Sequence, residues 1–368
     1  MSEAPVFIPA GNVEYANTIL TQHTIVDMLP QYFPETSITE ENVNQIRQTI
    51  LFLAIHRRLL PDLLSMLYSD FESYTTVVSG SYGLRFHICN TIVTRDIDIV
   101  LYPAERNTVM NTGELLSTLS PKFDEYVSWN NAKALRTLLM NWYNNLKREI
   151  KRIGILSATR AQLQQISEIE AMVGELLIGM LEQSLTLALS APPEREGILK
   201  VIAVEETTGF RYAIADISLY NDKERSPLRE MIEKTLHPDS TEEIIKNAYL
   251  PELSYFTIHK EIRSPDMRDI GDRPAASAKR NPSNGASGGK LSVSVPSLLY
   301  YKTEKDILYC DIMPSLQDNP RSQCYYYKRR VNTDGKYYQF NENDAQKDRL
   351  IRKFLKQLQA IQEYSQKQ

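Results

Sequence analysis

Tyr-Thr-Thr-Val-Val-Ser-Gly-Ser, residues 74–81, is a β-branched run that ends in a glycine–serine turn. Such a run predicts a β-strand followed by a turn, and we expect a short helix after Ser81. After a spacer of 14 residues, Asp-Ile-Asp-Ile-Val-Leu at 96–101 alternates polar and apolar residues. This alternation predicts a second strand that presents Asp96 and Asp98 on one face.

A third aspartate belongs to a predicted β-hairpin. The hairpin consists of Ile198–Val204, a Thr-Thr-Gly turn and Tyr212–Leu219. Asp216 stands among alanine and isoleucine neighbours that predict its burial, and a buried carboxylate is costly unless it is paired or metal-bound. We expect it on an antiparallel strand beside the first two aspartates. Lys200, on the paired strand, is expected either to reach a phosphate or to point to water.

These residue types fit the transfer of a nucleotidyl group from a nucleoside triphosphate. That reaction uses two divalent ions about 3.5–4 Å apart, and hard cations such as Mg²⁺ prefer oxygen ligands. Asp96 and Asp98 are predicted to bridge both ions, and Asp216 to bind the ion on the side of the attacking hydroxyl. Gly80 would let a phosphate approach the backbone, and the Ser81 hydroxyl would donate to a phosphate oxygen.

Each feature also has an ordinary structural explanation. A glycine–serine pair is most often only a turn, an Asp-x-Asp strand is most often a solvated face, and a hairpin aspartate is most often a surface residue. The ordered combination of all three favours the catalytic interpretation.

In this order the motifs resemble the signature of the DNA polymerase β-like nucleotidyltransferase superfamily. That signature is a hydrophobic residue, Gly-Gly or Gly-Ser, a spacer, and Asp-h-Asp-h, where h is hydrophobic. It stands here as Val78–Ser81 and Arg95–Val100, with a slightly long spacer, and the third carboxylate matches at Ala215–Ser218. The resemblance covers residues 74–101 and 198–220.

Within the superfamily the chain looks most like the poly(A) polymerases of nucleocytoplasmic large DNA viruses. The similar features are Asp-Ile-Asp-Ile, Ala-Asp-Ile-Ser-Leu, a large helical insert between them, the stretch Ser294–Tyr301 and a basic final helix. The resemblance implies template-independent addition of AMP from ATP to an RNA 3′ end such as that of an mRNA. It also implies two Mg²⁺ or Mn²⁺ ions as cofactors and a location in the host cytoplasm or the virion.

Two alternatives remain open at this point. The acceptor of a nucleotidyltransferase can be a small molecule, a protein or a second nucleotide instead of RNA. The chain can also be an inactive RNA-binding subunit that retains the fold, although three intact carboxylates argue against this.

The expected fold class is α+β, with a polymerase β-like mixed sheet, a helical insertion and a C-terminal α/β domain. Residues 1–36 are predicted to form an irregular acidic arm. The nucleotidyltransferase core is predicted to span 37–235, with the helical insertion at about 107–193. The C-terminal domain is predicted to span 236–368, with a flexible loop at 264–289 that is rich in Pro, Gly and Ser.

Finer patterns predict individual elements. A capping box at Ser37–Glu40 predicts the start of a helix that continues toward Leu67. Helical periodicity occupies 131–153 and 158–190, a strand is expected at Leu291–Val295, and a last helix is expected from about Asp344 to Tyr364.

Positive charge is concentrated in two regions, although the formal net charge is −4. Residues 133–160 hold seven Lys and Arg against one acid, and residues 321–368 hold eleven against five. Aromatic residues beside Arg and Lys suit single-stranded nucleic acid, but such residues also form ordinary edge strands and solvated helix faces. The candidate RNA-binding residues are Tyr326, Lys328, Arg329, Arg330 and Lys151.

The remaining signals concern location. Three cysteines without a CxxC pattern indicate a reducing compartment, and no targeting segment is visible, so we expect a cytoplasmic protein. The most apolar stretch, Ala171–Leu189, is interrupted by acidic residues, which favours a buried helix over a membrane span. A homodimer is left open.

Overall fold

The fold is built on one mixed β-sheet that helices cover. The computed structural model describes residues 24–88, 93–103, 110–153, 158–193, 196–220, 257–263 and 290–296, together with Leu298, Tyr300, Tyr301, Gln357, Ala360 and Ile361. The strands are β1 Tyr74–Ser79, β2 Ile97–Pro103, β3 Leu185–Ser190, β4 Ile198–Glu205, β5 Arg211–Leu219, β6 Thr257–Arg263 and β7 Lys290–Pro296. They lie in the order β3-β4-β5-β2-β1-β7-β6.

Strand direction makes the sheet mixed. The pairs β2–β5 and β1–β7 are parallel, and the pairs β1–β2, β3–β4, β4–β5 and β6–β7 are antiparallel. The α+β class predicted from the sequence is therefore confirmed. The sheet also continues across the predicted domain boundary at 235/236, since β6 and β7 belong to it.

The helices with described bounds are α1 Thr24–Tyr32, α2 Val43–Asp70, α3 Gly80–Ile88, α4 Thr112–Trp129, α5 Ala132–Ile153 and α6 Arg160–Glu182. None of the helices in the described part of the chain is long and apolar enough to cross a membrane.

Alternation along the strands gives the sheet two unlike faces. In β2 the side chains of Ile97, Ile99 and Leu101 are fully buried, and those of Asp98 and Val100 between them are only partly buried. The buried side chains join the helices in one apolar core. Each fully buried Ile or Leu contributes about 1.5–3 kcal/mol relative to an exposed one. This burial holds the sheet on the helices and leaves its other face to the polar residues.

The helical insertion predicted between β2 and β4 consists of α4, α5 and α6, followed by β3. Two of these helices begin with a capping box, Asn111 with Glu114 and Thr159 with Gln162. The prediction of helix over 158–190 is wrong beyond Glu182, because Leu185–Ser190 pairs with β4. Alternation in Leu-Thr-Leu-Ala fits a half-buried strand, and pairing with a neighbour outweighs helix propensity.

Two predictions at the N-terminal side are also wrong. Thr24–Tyr32 is helical rather than irregular, because Met28, Leu29 and Tyr32 bury their side chains in the core despite Pro30. Residues 1–23 of the predicted arm lie outside the described residues.

The capping box at Ser37–Glu40 does not form, and α2 begins only at Val43. Thr39 and Asn42 instead bond each other: the Thr39 amide donates to Asn42 Oδ1 at 2.8 Å, and the Asn42 amide donates to Thr39 Oγ1 at 3.3 Å. Asn42, the residue before α2, therefore bonds Thr39 through its side-chain oxygen instead of capping the first amides of the helix.

Other element predictions are confirmed. The strand–turn–helix at residue 80, the β4–β5 hairpin and the strand at Leu291–Val295 all form. The predicted loop at 264–289 lies outside the described residues, as does most of the predicted C-terminal helix.

Candidate active site

A polar row crosses four strands of the sheet at one level. Ser79 of β1 is the register partner of Asp98 of β2, Asp98 is the partner of Asp216 of β5, and Asp216 is the partner of Lys200 of β4. Neighbouring strands lie about 4.8 Å apart, so the four side chains form a continuous line. All four are partly buried. The structure therefore brings together two of the three predicted carboxylates, with Lys200 beside them.

The relation between the two carboxylate strands differs from the prediction. β2 and β5 are neighbours, as expected, but they run parallel rather than antiparallel. A parallel pair needs a crossover connection, and the helical insertion with β3 and β4 provides it. The side chains of Asp98 and Asp216 consequently leave the sheet at the same point along parallel strands.

Gly80 contacts Asp98 where β1 passes into α3. Its backbone has φ +61°, a left-handed conformation that favours glycine. A Cβ at residue 80 would lie 2.8 Å from Cγ of Asp98 and closer still to Oδ2. The first residue of α3 must therefore lack a side chain if the carboxylate is to lie against the backbone.

Ser81 is tied to the segment that leads into β2. Its hydroxyl donates to Thr94 Oγ1 at 3.1 Å, and Thr94 Oγ1 donates to the carbonyl oxygen of Asp96 at 2.9 Å. The predicted role of Ser81 in phosphate binding stays a prediction. In this structure its hydroxyl fixes the start of α3 relative to the start of β2.

Thr94 is a site residue that the sequence reasoning missed. It is 2% exposed, and its amide donates to the hydroxyl of Tyr32 at 3.4 Å. The neighbouring Arg95 donates through Nη2 to the carbonyl oxygen of Tyr32 at 3.2 Å. The end of α1 thus supports the aspartate segment. No local sequence signal could have found this contact, because the partners are 62 and 63 residues apart.

Asp96 lies two residues before Asp98, just outside β2. β2 begins at Ile97, so Asp96 precedes the strand in which it was predicted. Within the described residues, no group of three or more His, Cys, Asp and Glu side chains is arranged to hold a metal ion. Asp98 and Asp216 are register partners, and the metal-binding role of Asp96 stays a prediction.

Lys200 forms an ion pair with Asp216. Its Nζ lies 3.1 Å from Oδ2 of the carboxylate, and the two side chains are 26% and 21% exposed. Asp216 is therefore less buried than its neighbours predicted. Solvent still reaches both members of the pair.

Two tyrosines extend the site face of the sheet. Tyr102 lies four residues after Asp98 on β2, and Tyr220 follows β5, four residues after Asp216. Their ring centroids are 4.8 Å apart with an interplanar angle of 31°. The sequence reasoning missed this pair, although two-residue alternation counted from Asp98 would have placed Tyr102 on the same face.

The predicted RNA-binding residues fall in two groups. Lys151 is exposed near the end of α5, in a basic face with Lys147, Arg148 and Arg152, and Arg152 also pairs with Glu149 at 3.0 Å. The second group, Tyr326, Lys328, Arg329 and Arg330, lies outside the described residues. RNA binding by either group stays a prediction.

Comparisons with protein families, with curated proteins and with solved structures find no match to this chain.

Proposed function

We propose that this chain is a nucleotidyltransferase with a polymerase β-like fold, and that it adds AMP from ATP to RNA 3′ ends without a template. The observation that carries the reaction class is the position of Asp98 and Asp216. They are register partners on adjacent parallel strands, and Asp98 lies against the glycine that begins α3. A glycine–serine turn, a helix start and two adjacent carboxylates are the parts that this chemistry needs.

The donor set suits a hard divalent cation. Carboxylate oxygens are the ligands that Mg²⁺ and Mn²⁺ take in such sites, and Asp216 is partly open to solvent. Gly80 leaves space beside Asp98 that any Cβ would fill. When bound, two divalent ions would neutralise the triphosphate and increase the acidity of the attacking hydroxyl.

The chain's own residues would bind and orient the reactants. Asp98 and Asp216 would hold the cations, with Asp96 as the further predicted ligand, and Asp216 would position the acceptor hydroxyl. Gly80 would allow the triphosphate to approach the start of α3, where backbone amides and the helix dipole favour an anion. Lys200 would supply a positive charge to a phosphate.

The choice of ATP rests on the motif resemblance alone, and the choice of RNA rests on that resemblance and on the exposed basic face of α5. That face carries Lys147, Arg148, Lys151 and Arg152 in the described part of the chain, and a phosphodiester backbone would be attracted to it. RNA affinity should therefore fall steeply as salt concentration rises.

Primer extension tests the proposal. The full chain is incubated with an oligo(A) primer, Mg²⁺ or Mn²⁺, and each of the four nucleoside triphosphates separately. We expect extension with ATP. Asp98→Asn and Asp216→Asn should each lower the rate by about 10³-fold, because each removes a charge that stabilises the transition state. Asp124→Asn, at an exposed position on α4, is the matched control and should keep the wild-type rate.

The outcomes separate the alternatives. Labelled ATP consumed without primer extension would indicate an acceptor other than RNA. RNA binding without ATP turnover would indicate an inactive subunit. Wild-type extension by Asp216→Asn would contradict the assignment of the site itself.

A further inference from the structure

Lys200 has a position that phosphate binding alone does not explain. It is the register partner of Asp216 on the side away from Asp98, because β4 and β2 flank β5. The distance of 3.1 Å from Nζ to Oδ2 is that of a direct charged hydrogen bond. The ammonium therefore lies on the carboxylate that the proposed function assigns to a metal.

The pair stabilises the carboxylate row. The carboxylates of Asp98 and Asp216 lie on adjacent strands and repel each other, and the Lys200 ammonium beside Asp216 offsets that repulsion. Partial burial of Lys200 and Asp216 strengthens the attraction relative to a fully exposed pair. Lys200 thus holds the Asp216 side chain in place before any ligand binds.

The same contact opposes the binding of a free divalent ion. The Lys200 ammonium donates to Oδ2 of the carboxylate that would hold the metal, and two cations near one carboxylate repel each other. A flexible four-carbon stem and 26% exposure let the ammonium leave without disturbing the core. A triphosphate that binds beside Asp216 would then offer its phosphate oxygens to the displaced ammonium as new partners.

We propose that Lys200 is a built-in counter-ion of Asp216, which holds that carboxylate until a divalent cation arrives with the nucleotide and takes its place. This inference rests on the proposed function. It makes Lys200 a positioning residue with two opposite effects. Lys200 weakens the binding of a free metal and strengthens the binding of the nucleotide.

Titration with Mn²⁺ tests the inference on the full chain. Free Mn²⁺ is measured by electron paramagnetic resonance, first without nucleotide and then with a non-hydrolysable ATP analogue. Lys200→Met and Lys200→Gln should bind Mn²⁺ about three- to tenfold more tightly than wild type without nucleotide, because a competing charge is gone. Both should bind the analogue more weakly, and Lys200→Arg should stay close to wild type.

Lys122→Met is the matched control. Lys122 on α4 also pairs with an aspartate, Asp70 at the end of α2, and its loss changes the net charge equally. Mn²⁺ affinity should not change in this variant. Thermal unfolding of every variant shows whether the fold is kept. Lys200→Met and Lys200→Gln both remove the charge, so a change in Mn²⁺ affinity that appears in only one of them would be due to the new side chain.

Two results would overturn the inference, and they have different consequences for the proposed function. If Lys200→Met and Lys200→Gln bind free Mn²⁺ no more tightly than wild type, while Asp216→Asn weakens binding, the counter-ion role is wrong and the metal site stands. If Asp216→Asn leaves Mn²⁺ binding unchanged, the carboxylate is not a ligand, and both the inference and the proposed function fail. A merely structural role of Lys200 would weaken Mn²⁺ and nucleotide binding together.

Discussion

The carboxylate of Asp98 lies against the backbone of Gly80, at the point where β1 becomes α3. The contact joins two motifs that are separated by 17 residues in the sequence. Residue 80 has a positive φ, so glycine is favoured there by backbone conformation as well as by space. The glycine–serine turn and the aspartate strand are therefore one structural unit.

Gly80→Ala should disrupt this unit. The added Cβ meets Asp98, and the left-handed backbone adds about 1–2 kcal/mol of strain. Gly209→Ala is the matched control, because Gly209 has φ +72° and no atom within 4 Å of its Cβ position. In chemical denaturation Gly80→Ala should lose more stability than Gly209→Ala, and only Gly80→Ala should lose nucleotidyl transfer. Equal losses of stability would contradict the contact with Asp98.

Thr94→Val should weaken the connection between α3 and β2. Thr94 Oγ1 accepts from Ser81 and donates to the Asp96 carbonyl, and losing these two partly buried hydrogen bonds should cost about 1–3 kcal/mol. Thr76→Val is the control, since in the described part of the chain the buried Thr76 hydroxyl has no hydrogen-bond partner, and its loss should be neutral or stabilising. The free energy of unfolding of both variants checks this, and a result in which Thr76→Val loses as much as Thr94→Val would count against it.

The strands of the site could be predicted because their patterns are local. Apolar residues follow or alternate with polar ones in both strands, at Val77 and Val78 and at Ile97 and Ile99, and this pattern is typical of a strand with one buried face. The parallel direction of β2 and β5 could not be predicted in the same way. It depends on where the chain returns after about 100 residues of insertion, and no local pattern encodes that.

The candidate site could likewise be predicted only as far as local sequence patterns reach. Asp98, Asp216 and Lys200 belong to recognisable strands, so their approximate grouping followed from the sequence. Thr94 and Tyr32 were not predictable, because their hydrogen bond joins distant parts of the chain through tertiary packing. The ion pair of Lys200 with Asp216 depends on the register of the β4–β5 hairpin. A shift of one residue would place the two side chains on opposite faces of the sheet.

His56 should make stability depend on pH. Burial lowers the pKa of His56 well below its usual value of 6.5, and the positive charges of Arg57 and Arg85 lower it further. The unfolded chain therefore binds a proton below pH 6.5 that the folded protein does not. Stability contributed by neutral His56 is present in full above pH 6.5 and falls as pH decreases, by about 1.4 kcal/mol per pH unit, until the lowered pKa is reached.

Urea denaturation of wild type and His56→Phe between pH 5 and pH 7.5 measures this effect. The phenyl ring keeps the stacking of residue 56 on Phe52, whose centroid lies 4.8 Å away. The difference in unfolding free energy between the two proteins should shift in favour of His56→Phe as pH falls below 6.5. A pH-independent difference would show that the fold does not lower the pKa of His56.

Arg85 offers a last test, because it places a charge in the core. Its side chain is 1% exposed, none of its three guanidinium nitrogens has a hydrogen-bond partner among the described residues, and its Cζ lies 5.9 Å from the centroid of the Tyr82 ring. A buried charge without a counter-ion costs several kcal/mol, and Met keeps most of the length of the arginine stem. Arg85→Met should therefore raise the free energy of unfolding or leave it unchanged. Arg58→Met, which removes a partner of Asp62, should lower it modestly. A loss of more than about 2 kcal/mol in Arg85→Met would instead show that an anion meets Arg85 in solution, since removing one partner of a buried ion pair is strongly destabilising.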